Sequence, residues 1–204
     1  MTIFLLIRHA VHVLGSERIA GRMPDVHLSL RGQEQAQHLA RRLADVPIHA
    51  LYCSPITRAQ ETAQPLTAQF GLPVQICEDI QEINYGEWTG RTLEELRPQE
   101  QWKHWNSFRS GTRIPNGESM LEIQARVISC MQQLRERHPN EVIALVSHGD
   151  VIRAAVAYCL GVPLDMFQRI EISPASVSIV GLAEYGPSVL CVNNTNALGE
   201  LPFY

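Results

Sequence analysis

Lysine is nearly missing from this sequence. Of the 17 basic residues only Lys103 is a lysine, and the rest are arginine. A base-composition bias accounts for this without any functional meaning, although arginine suits bidentate contacts to phosphate or carboxylate better than lysine does. A basic excess is missing too. The formal net charge is −4 and the pI about 6.1. No nucleic-acid partner is therefore expected, since that would call for a basic face. No apolar run nears the length of a membrane span, and Met1-Thr2 lead straight into an apolar strand rather than a secretory leader. No membrane partner and a cytoplasmic location are the expectations. No cysteine pair has C-x-x-C spacing. Cys53, Cys77, Cys130, Cys159 and Cys191 each sit among apolar neighbours and read as small buried hydrophobes in a reducing compartment. Repeats, low-complexity tracts and linkers are also lacking. That leaves a single domain over 1–204, long enough to bury a sizeable core.

What is present alternates in type. Residues 3–7 form a short β-rich run. Ala36, Leu39, Ala40 and Leu43 recur at helical spacing within 30–44. Residues 48–53 (IHALYC) read as another strand, and Ser54-Pro55 as the N-cap and first residue of a helix to about Phe70. Gly71-Leu72-Pro73 stops it. Val74 to Cys77 is a short strand, and Thr92 to Glu95 is a capping-box pattern opening a short helix. The stretch 98–118 holds two prolines and the aromatics Trp102, Trp105 and Phe108. It reads as an irregular, partly helical excursion covering the substrate side. A long helix follows, with Ile123, Val127, Cys130, Met131 and Leu134 on one stripe. Glu141 to Val146 is the most apolar strand, and 150–160 a nearly all-apolar helix. Residues 176–182 and 188–192 are two closing strands joined by a short Gly-Pro turn. Strands alternating with helices imply βαβ units. The expected fold class is a three-layer α/β/α arrangement with a mostly parallel central sheet and one antiparallel edge strand.

In such a sheet, ligands bind beyond the carboxyl ends of the strands. Arg8-His9 follows the first strand. Ser54-Pro55-Ile56-Thr57-Arg58 follows Cys53, and Ser147-His148-Gly149-Asp150 follows Val146. Glu82 lies in the irregular segment QEINYGEWTG. Each has a bland alternative: a satisfied histidine for His9, a surface arginine for Arg58, a turn residue for His148, an exposed glutamate for Glu82. Their coincidence after strand ends favours one purpose. Two guanidiniums and one or two imidazoles make a compact positive pocket suited to a phosphoryl dianion. A neutral histidine donating one ring nitrogen to a backbone carbonyl presents the other as a nucleophile. A carboxylic acid whose pKa is raised by burial could protonate the leaving oxygen.

The segments LIRHA, SPITRAQETA, QEINYGEWTG and LVSHGDVI, in this order and at these intervals, resemble the histidine phosphatase superfamily, in the branch that holds phosphoglycerate mutases and small phosphatases. GRMPDVHLSLRGQEQA and PNGESM resemble further segments of it, so the likeness spans nearly the whole chain. The resemblance implies roles. His9 would be the nucleophile and form a phosphohistidine. Arg8, Arg58 and His148 would hold the phosphoryl oxygens, and Glu82 would protonate the leaving group and then activate water. Gly21 matches a position near the substrate. No metal and no cofactor are implied. Two departures stand out. The family usually has glycine after Arg-His, then Thr or Ser two positions on, where this chain has Ala10 and His12. Many members also have asparagine where this chain has Gly15. Ala10 is tolerable only with a negative φ. Either one phosphate donor is lost or His12 takes its place.

The expected activity is metal-independent hydrolysis of a small phosphorylated metabolite. The alternatives within the family are a cofactor-dependent phosphoglycerate mutase and a weakened member that only binds phosphate. A metal hydrolase built on His9, His12, His148 and Asp150 fits poorly, because His-x-x-His is not the helical H-E-x-x-H spacing and the adjacent arginine repels a cation. Substrate choice would fall to 98–118 and 11–27. Trp102, Trp105 and Phe108 would pack that excursion down or stack on substrate. Arg109 and Arg113 would meet a second acidic group or face solvent, and His12 and His27 would line the entrance. A homodimer is compatible with the family.

Overall fold

The computed structural model describes residues 1–196. Six strands form one sheet: β1 (Thr2–Arg8), β2 (Ala50–Cys53), β3 (Val74–Ile76), β4 (Val142–Ser147), β5 (Val177–Ala183) and β6 (Gly186–Asn194), in the order β3-β2-β4-β1-β5-β6. The pairs β1–β4, β4–β2 and β2–β3 are parallel, and β1–β5 and β5–β6 antiparallel. The sheet is thus mostly parallel with an antiparallel hairpin at one edge. Within that hairpin the reversed strand is β5, one place in from the edge.

Successive side chains of a strand point to opposite faces, and here both faces are apolar. Ile3, Leu5, Ile7, Leu51, Cys53, Val142, Ala144 and Val146 face one layer. It is built by Leu39, Ala40 and Leu43 at the end of helix α1 (Leu30–Arg42) and by Ala59, Ala63 and Leu66 of α2 (Thr57–Phe70). Phe4, Leu6, Tyr52, Ile143 and Leu145 face the other, built by α5 (Met120–Arg137) and α6 (Gly149–Leu160). A strand buried on both faces reads as a continuous apolar run, and all six residues of β4 are buried. Each such Val, Leu or Ile contributes about 1.5–3 kcal/mol through removal from water. The three layers follow from that double burial.

Two local expectations shift. α2 starts at Thr57, not at Pro55, and Ile56 keeps an extended backbone. The Ser54 hydroxyl does accept the Ile56 N–H at 3.3 Å, but it stands two residues ahead of the N-cap position and also accepts from His148 Nε2. The excursion 98–118 is more regular than its prolines suggest. After the short α3 (Leu93–Leu96), opened by the Thr92/Glu95 capping box, comes α4 (Glu100–Ser107). Trp102 and Trp105 of α4 meet Trp88 edge-on at 5.2 and 5.6 Å between ring centroids, a geometry that aromatic rings favour. These indoles pack the excursion onto the domain. Phe108 remains half exposed.

Candidate active site

Register brings the strand ends level. Arg8 pairs with Ser147 across β1 and β4. The next amide, His9 N–H, donates to Ser147 O at 2.9 Å, and Ser54 N–H donates to Val146 O at 3.0 Å. His9, Ser54 and His148 therefore sit side by side. Here α2 and α6 also begin, turning the positive ends of their dipoles toward the same spot.

The tautomers follow from the partners. His9 Nδ1 lies 2.7 Å from Ala10 O. A carbonyl only accepts, so Nδ1 carries the proton and Nε2 the lone pair, which accepts Arg58 Nε–H at 3.2 Å. Arg58 Nη2 donates to Gly21 O at 2.8 Å and to His148 Nδ1 at 3.3 Å. His148 Nε2 must then be the protonated nitrogen, donating to Ser54 Oγ at 2.8 Å. The His9 and His148 rings are 5.1 Å apart. His9, Arg58 and His148 are 3%, 1% and 0% exposed, too little for bulk water to solvate a charge. Burial, then the Arg58 guanidinium, drives both imidazoles well below their usual pKa, so both are neutral near pH 7.

Glu82 reaches the pocket from the irregular segment. Its Oε2 lies 3.7 Å from His148 Nδ1 and 3.9 Å from Arg58 Nη2. Burial, and then the Asp150 charge, raise its pKa. Its backbone is held by residues that sequence reasoning did not name. Arg22 Nε donates to Glu82 O, and Arg126 Nη2 to Gln81 O, both at 2.7 Å. Glu118 fixes these arginines: Oε2 accepts Arg22 Nη2 and Asn84 N–H, both at 2.8 Å, and Oε1 lies 3.4 Å from Arg126 Nε. Glu118 stands in PNGESM, a segment singled out without a role for its glutamate. The two segments touch through glycines. A Cβ on Gly86 would sit 2.1 Å from Pro115 O, and one on Gly117 2.4 Å from Asn84 O.

The remaining pocket residues surround His9. Arg8 Nη1 donates to Ile172 O at 2.6 Å. Its guanidinium lies across the start of α6, where a Cβ on Gly149 would come within 3.2 Å of Arg8 Nε. The His12 ring is 5.5 Å from that of His9, and burial, with Arg58 and Arg8 nearby, lowers its pKa to about 4. Gly21 contributes its carbonyl to Arg58, as above. Ala10 is outside the positive-φ set, and its methyl is fully buried with Leu28, Ala36 and Ala175. Ala10 N–H donates to Thr62 Oγ1 at 3.0 Å, and that hydroxyl donates to Arg58 O at 2.7 Å. Thr62, another residue missed, thus ties the His9 loop to α2. Gly15 makes a turn back to His12, its N–H on His12 O at 3.2 Å.

Other residues lie apart. Arg113 is exposed and pairs with Glu122. His27 is exposed and contacts Glu61 Oε1 at 2.6 Å. Arg109 is buried, not solvent-facing, because its guanidinium stacks on the Trp105 ring at 3.5 Å. It also lies 4.0 Å from Asp150, whose carboxylate accepts Tyr85 OH at 2.9 Å and Arg153 Nη1 at 2.8 Å.

Donor atoms of His9, Glu82 and His148 lie within 4.8 Å of one another, close enough to enclose a cation. The charge argues otherwise. A buried guanidinium points at His9 Nε2, a second lies across α6, and two helix N-termini add to the positive field. Among the described residues, Arg8 Nε, Arg58 Nη1 and His12 Nδ1 are buried with no hydrogen-bond partner. Buried guanidinium nitrogens of this kind cost about 1–3 kcal/mol each unless matched. They belong to two arginines that flank His9, one bonded to its Nε2 through Nε and the other its chain neighbour, and they suit an anion with several oxygens.

Comparison with known proteins fits this geometry. The family described as histidine phosphatase superfamily (branch 1) matches residues 4–195. Phosphoserine phosphatase 1 of Hydrogenobacter thermophilus is 31% identical over 202 residues, covering 98% of this chain and 96% of that protein. Phosphoglycerate mutase-like protein 4 of Arabidopsis thaliana is 36% identical over 157 residues, 74% of this chain and 67% of its own length. A solved phosphoserine phosphatase mutant from Entamoeba histolytica, in complex with phosphoserine, has a TM-score of 0.87 at 26% identity, covering 97% of this chain and 100% of that one.

Proposed function

Because this chain belongs to the histidine phosphatase superfamily and is a phosphoric monoester hydrolase of that type, we propose that it dephosphorylates a small phosphorylated metabolite through a phosphohistidine on His9, without a metal. The observation that carries this reading is the buried His9 Nε2 lone pair, fixed by the Nδ1 contact to Ala10 O and accepting Arg58 Nε–H, with further nitrogens of Arg8 and Arg58 left unpartnered.

His9 Nε2 attacks phosphorus, and the bond from phosphorus to the ester oxygen breaks. Arg58 Nε–H passes from Nε2 to a phosphoryl oxygen as the N–P bond forms. As the dianion binds, His148 changes tautomer, its Nε2 now accepting Ser54 Oγ–H and its Nδ1–H donating to a phosphoryl oxygen, with no net change in protons. Arg8 and Arg58 balance the charge of the transferring group, and His12 occupies the place of the family's usual donor. Glu82, whose hold on a proton is strengthened by burial, gives its proton to the leaving oxygen and the alcohol departs. The resulting carboxylate takes a proton from water, whose oxygen attacks phosphorus and breaks the N–P bond. Inorganic phosphate and free His9 are the products. Positioning and charge stabilisation supply most of such a rate enhancement.

Two relatives named as phosphoserine phosphatases put phosphoserine first among substrates to try. The mutase-like relative keeps phosphoryl transfer to a second hydroxyl acid as the other reading. The test is phosphate release from a panel of small phosphomonoesters in EDTA, using wild type and His9→Ala. The reading expects turnover by wild type alone, with the variant still folded. Full activity in His9→Ala overturns it. Transfer to added glycerate instead of water would make the enzyme a mutase, and phosphate binding without turnover a binding module.

A further inference from the structure

Cys77 and Cys130 lie outside the phosphoryl pocket and take no part in the steps above. Their sulfurs are 3.3 Å apart. Cys77 directly follows β3, its N–H pinned to Cys53 O at 2.9 Å, and leads into the 3-10 turn Glu78–Ile80. Cys130 sits one helical turn after Arg126 on α5, packed among Val127, Met131 and Leu134. The turn between them and the active site is tightly engaged. Ile80 O accepts Ser147 Oγ–H at 2.6 Å, and Asp79 O accepts from Arg126. Glu82 follows two residues after Ile80.

We propose that Cys77 and Cys130 form a hydroperoxide-sensitive dithiol whose closure to a disulfide staples the segment carrying Glu82 to α5. Three observations bear on it. Cys77 is half-buried and flanked by the exposed Ile76, Glu78 and Asp79, whereas Cys130 is buried. The Cys130 sulfur, and then the backbone of the Asp79–Ile80 turn, lower the Cys77 pKa to about 7 against the opposing pull of burial, while burial pushes Cys159 up to about 11 and Cys53 higher still. A thiolate is the form that reacts with peroxide. Finally, a bond of about 2.05 Å needs the sulfurs to close by little more than an ångström. Asp79 offers a third donor within 4.8 Å of both sulfurs. Thiolates on a tetrahedral zinc, at about 2.3 Å from the metal, would stand farther apart than this pair does, so the spacing favours the disulfide.

The chemistry balances with a hydroperoxide as oxidant. The Cys77 thiolate attacks the distal peroxide oxygen, the O–O bond breaks, and Cys77 becomes a sulfenic acid as hydroxide leaves and is protonated to water. Cys130 sulfur then attacks the sulfenic sulfur, the S–O bond breaks, and a second water leaves. Two thiols lose two electrons to one peroxide.

The full-length protein is treated with hydrogen peroxide, then denatured, and its free thiols counted and its peptides mapped. Of five cysteines, three stay titratable and one linked peptide joins Cys77 to Cys130. Cys130→Ser instead stops at a dimedone-reactive sulfenic acid on Cys77, and Cys77→Ser loses no thiol. In the oxidised wild type kcat falls by about tenfold and recovers with dithiothreitol, because an ångström-scale shift of a reacting group can cost up to ~100-fold. That activity readout rests on the phosphatase reading, and the thiol count does not, so the two can fail separately. Five thiols remaining after peroxide, or a linked pair with unchanged kcat, overturns the proposal.

Discussion

Replacing Glu118 by alanine should slow catalysis from a residue that does not touch the phosphoryl site. The carboxylate holds Arg22 Nη2 and Asn84 N–H, both at 2.8 Å, and faces Arg126 Nε at 3.4 Å. Those two arginines in turn hold the carbonyls of Gln81 and Glu82. The Asn84 amide would lose a charge-assisted bond, costing about 1.5–3 kcal/mol. Arg22, with 31% of its side chain exposed, regains water and loses less, roughly 1 kcal/mol or under. Arg126 adds little, since its Nε contact is long. The sum is about 3 kcal/mol, which a domain of ordinary stability survives. A general acid typically contributes 10²–10⁴-fold, so a displaced Glu82 should cost ~10–100-fold in kcat with little change in KM. The loss should be largest for alkyl phosphates and small for nitrophenyl phosphate, whose leaving group needs no proton. Glu118→Gln, which keeps an acceptor for Asn84, should fall between. Urea unfolding and steady-state kinetics on both substrates check this. A stability loss of that size with kcat unchanged on alkyl phosphates would refute the idea that Glu118 positions Glu82.

Three further outcomes follow from particular contacts. Ala10→Gly, which restores the family's usual residue, should destabilise by about 1–2 kcal/mol through backbone entropy and a lost buried methyl, with kcat retained; denaturation midpoints and turnover together decide it. Gly149→Ala would place a methyl 3.2 Å from Arg8 Nε, and the displaced guanidinium should raise KM for phosphoesters by ~10-fold while leaving the fold intact, which saturation kinetics would show. Stability should fall as pH drops below the usual histidine value of 6.5, because His9, His12 and His148 have lowered folded pKa values and bind protons only on unfolding. Each such proton contributes a slope of about 1.4 kcal/mol per pH unit, fully regained above the unfolded pKa. Glu82, with a raised folded pKa, acts in the opposite sense but as a single proton. Thermal melts between about pH 7 and pH 5 should show this loss, with a shallower slope in His12→Asn; a flat profile would contradict it.

The layers and strand ends were legible because burial on both faces leaves a strong mark. Runs such as Val142–Val146 have nowhere else to go, and polar residues directly after them stand out. What the sequence hid came from contacts between distant segments. Arg109 reads as a contact for a second acidic group or as a surface residue until Trp105 is placed beneath it. Thr62 and Arg22 stand in SPITRAQETA and GRMPDVHLSLRGQEQA with no role legible there, since their partners Ala10 and Glu82 are far along the chain. Ser54 reads as an ordinary N-cap, but the helix starts at Thr57 and the Ser54 hydroxyl meets His148, far along the chain. Cys77 and Cys130, 53 residues apart, read as two separate hydrophobes. The Ala10 methyl looked like a departure near the phosphate and proves to be core.

The central claim is that His9 carries the phosphoryl group during turnover. The direct measurement is a rapid alkaline quench of the wild type mixed with a turned-over phosphoester, followed by mass analysis of its peptides. The account predicts one added phosphoryl group on the peptide containing His9, stable to base, labile to acid, and missing from His9→Ala. Turnover with no phosphorylated peptide, or with the group on another residue, would contradict it.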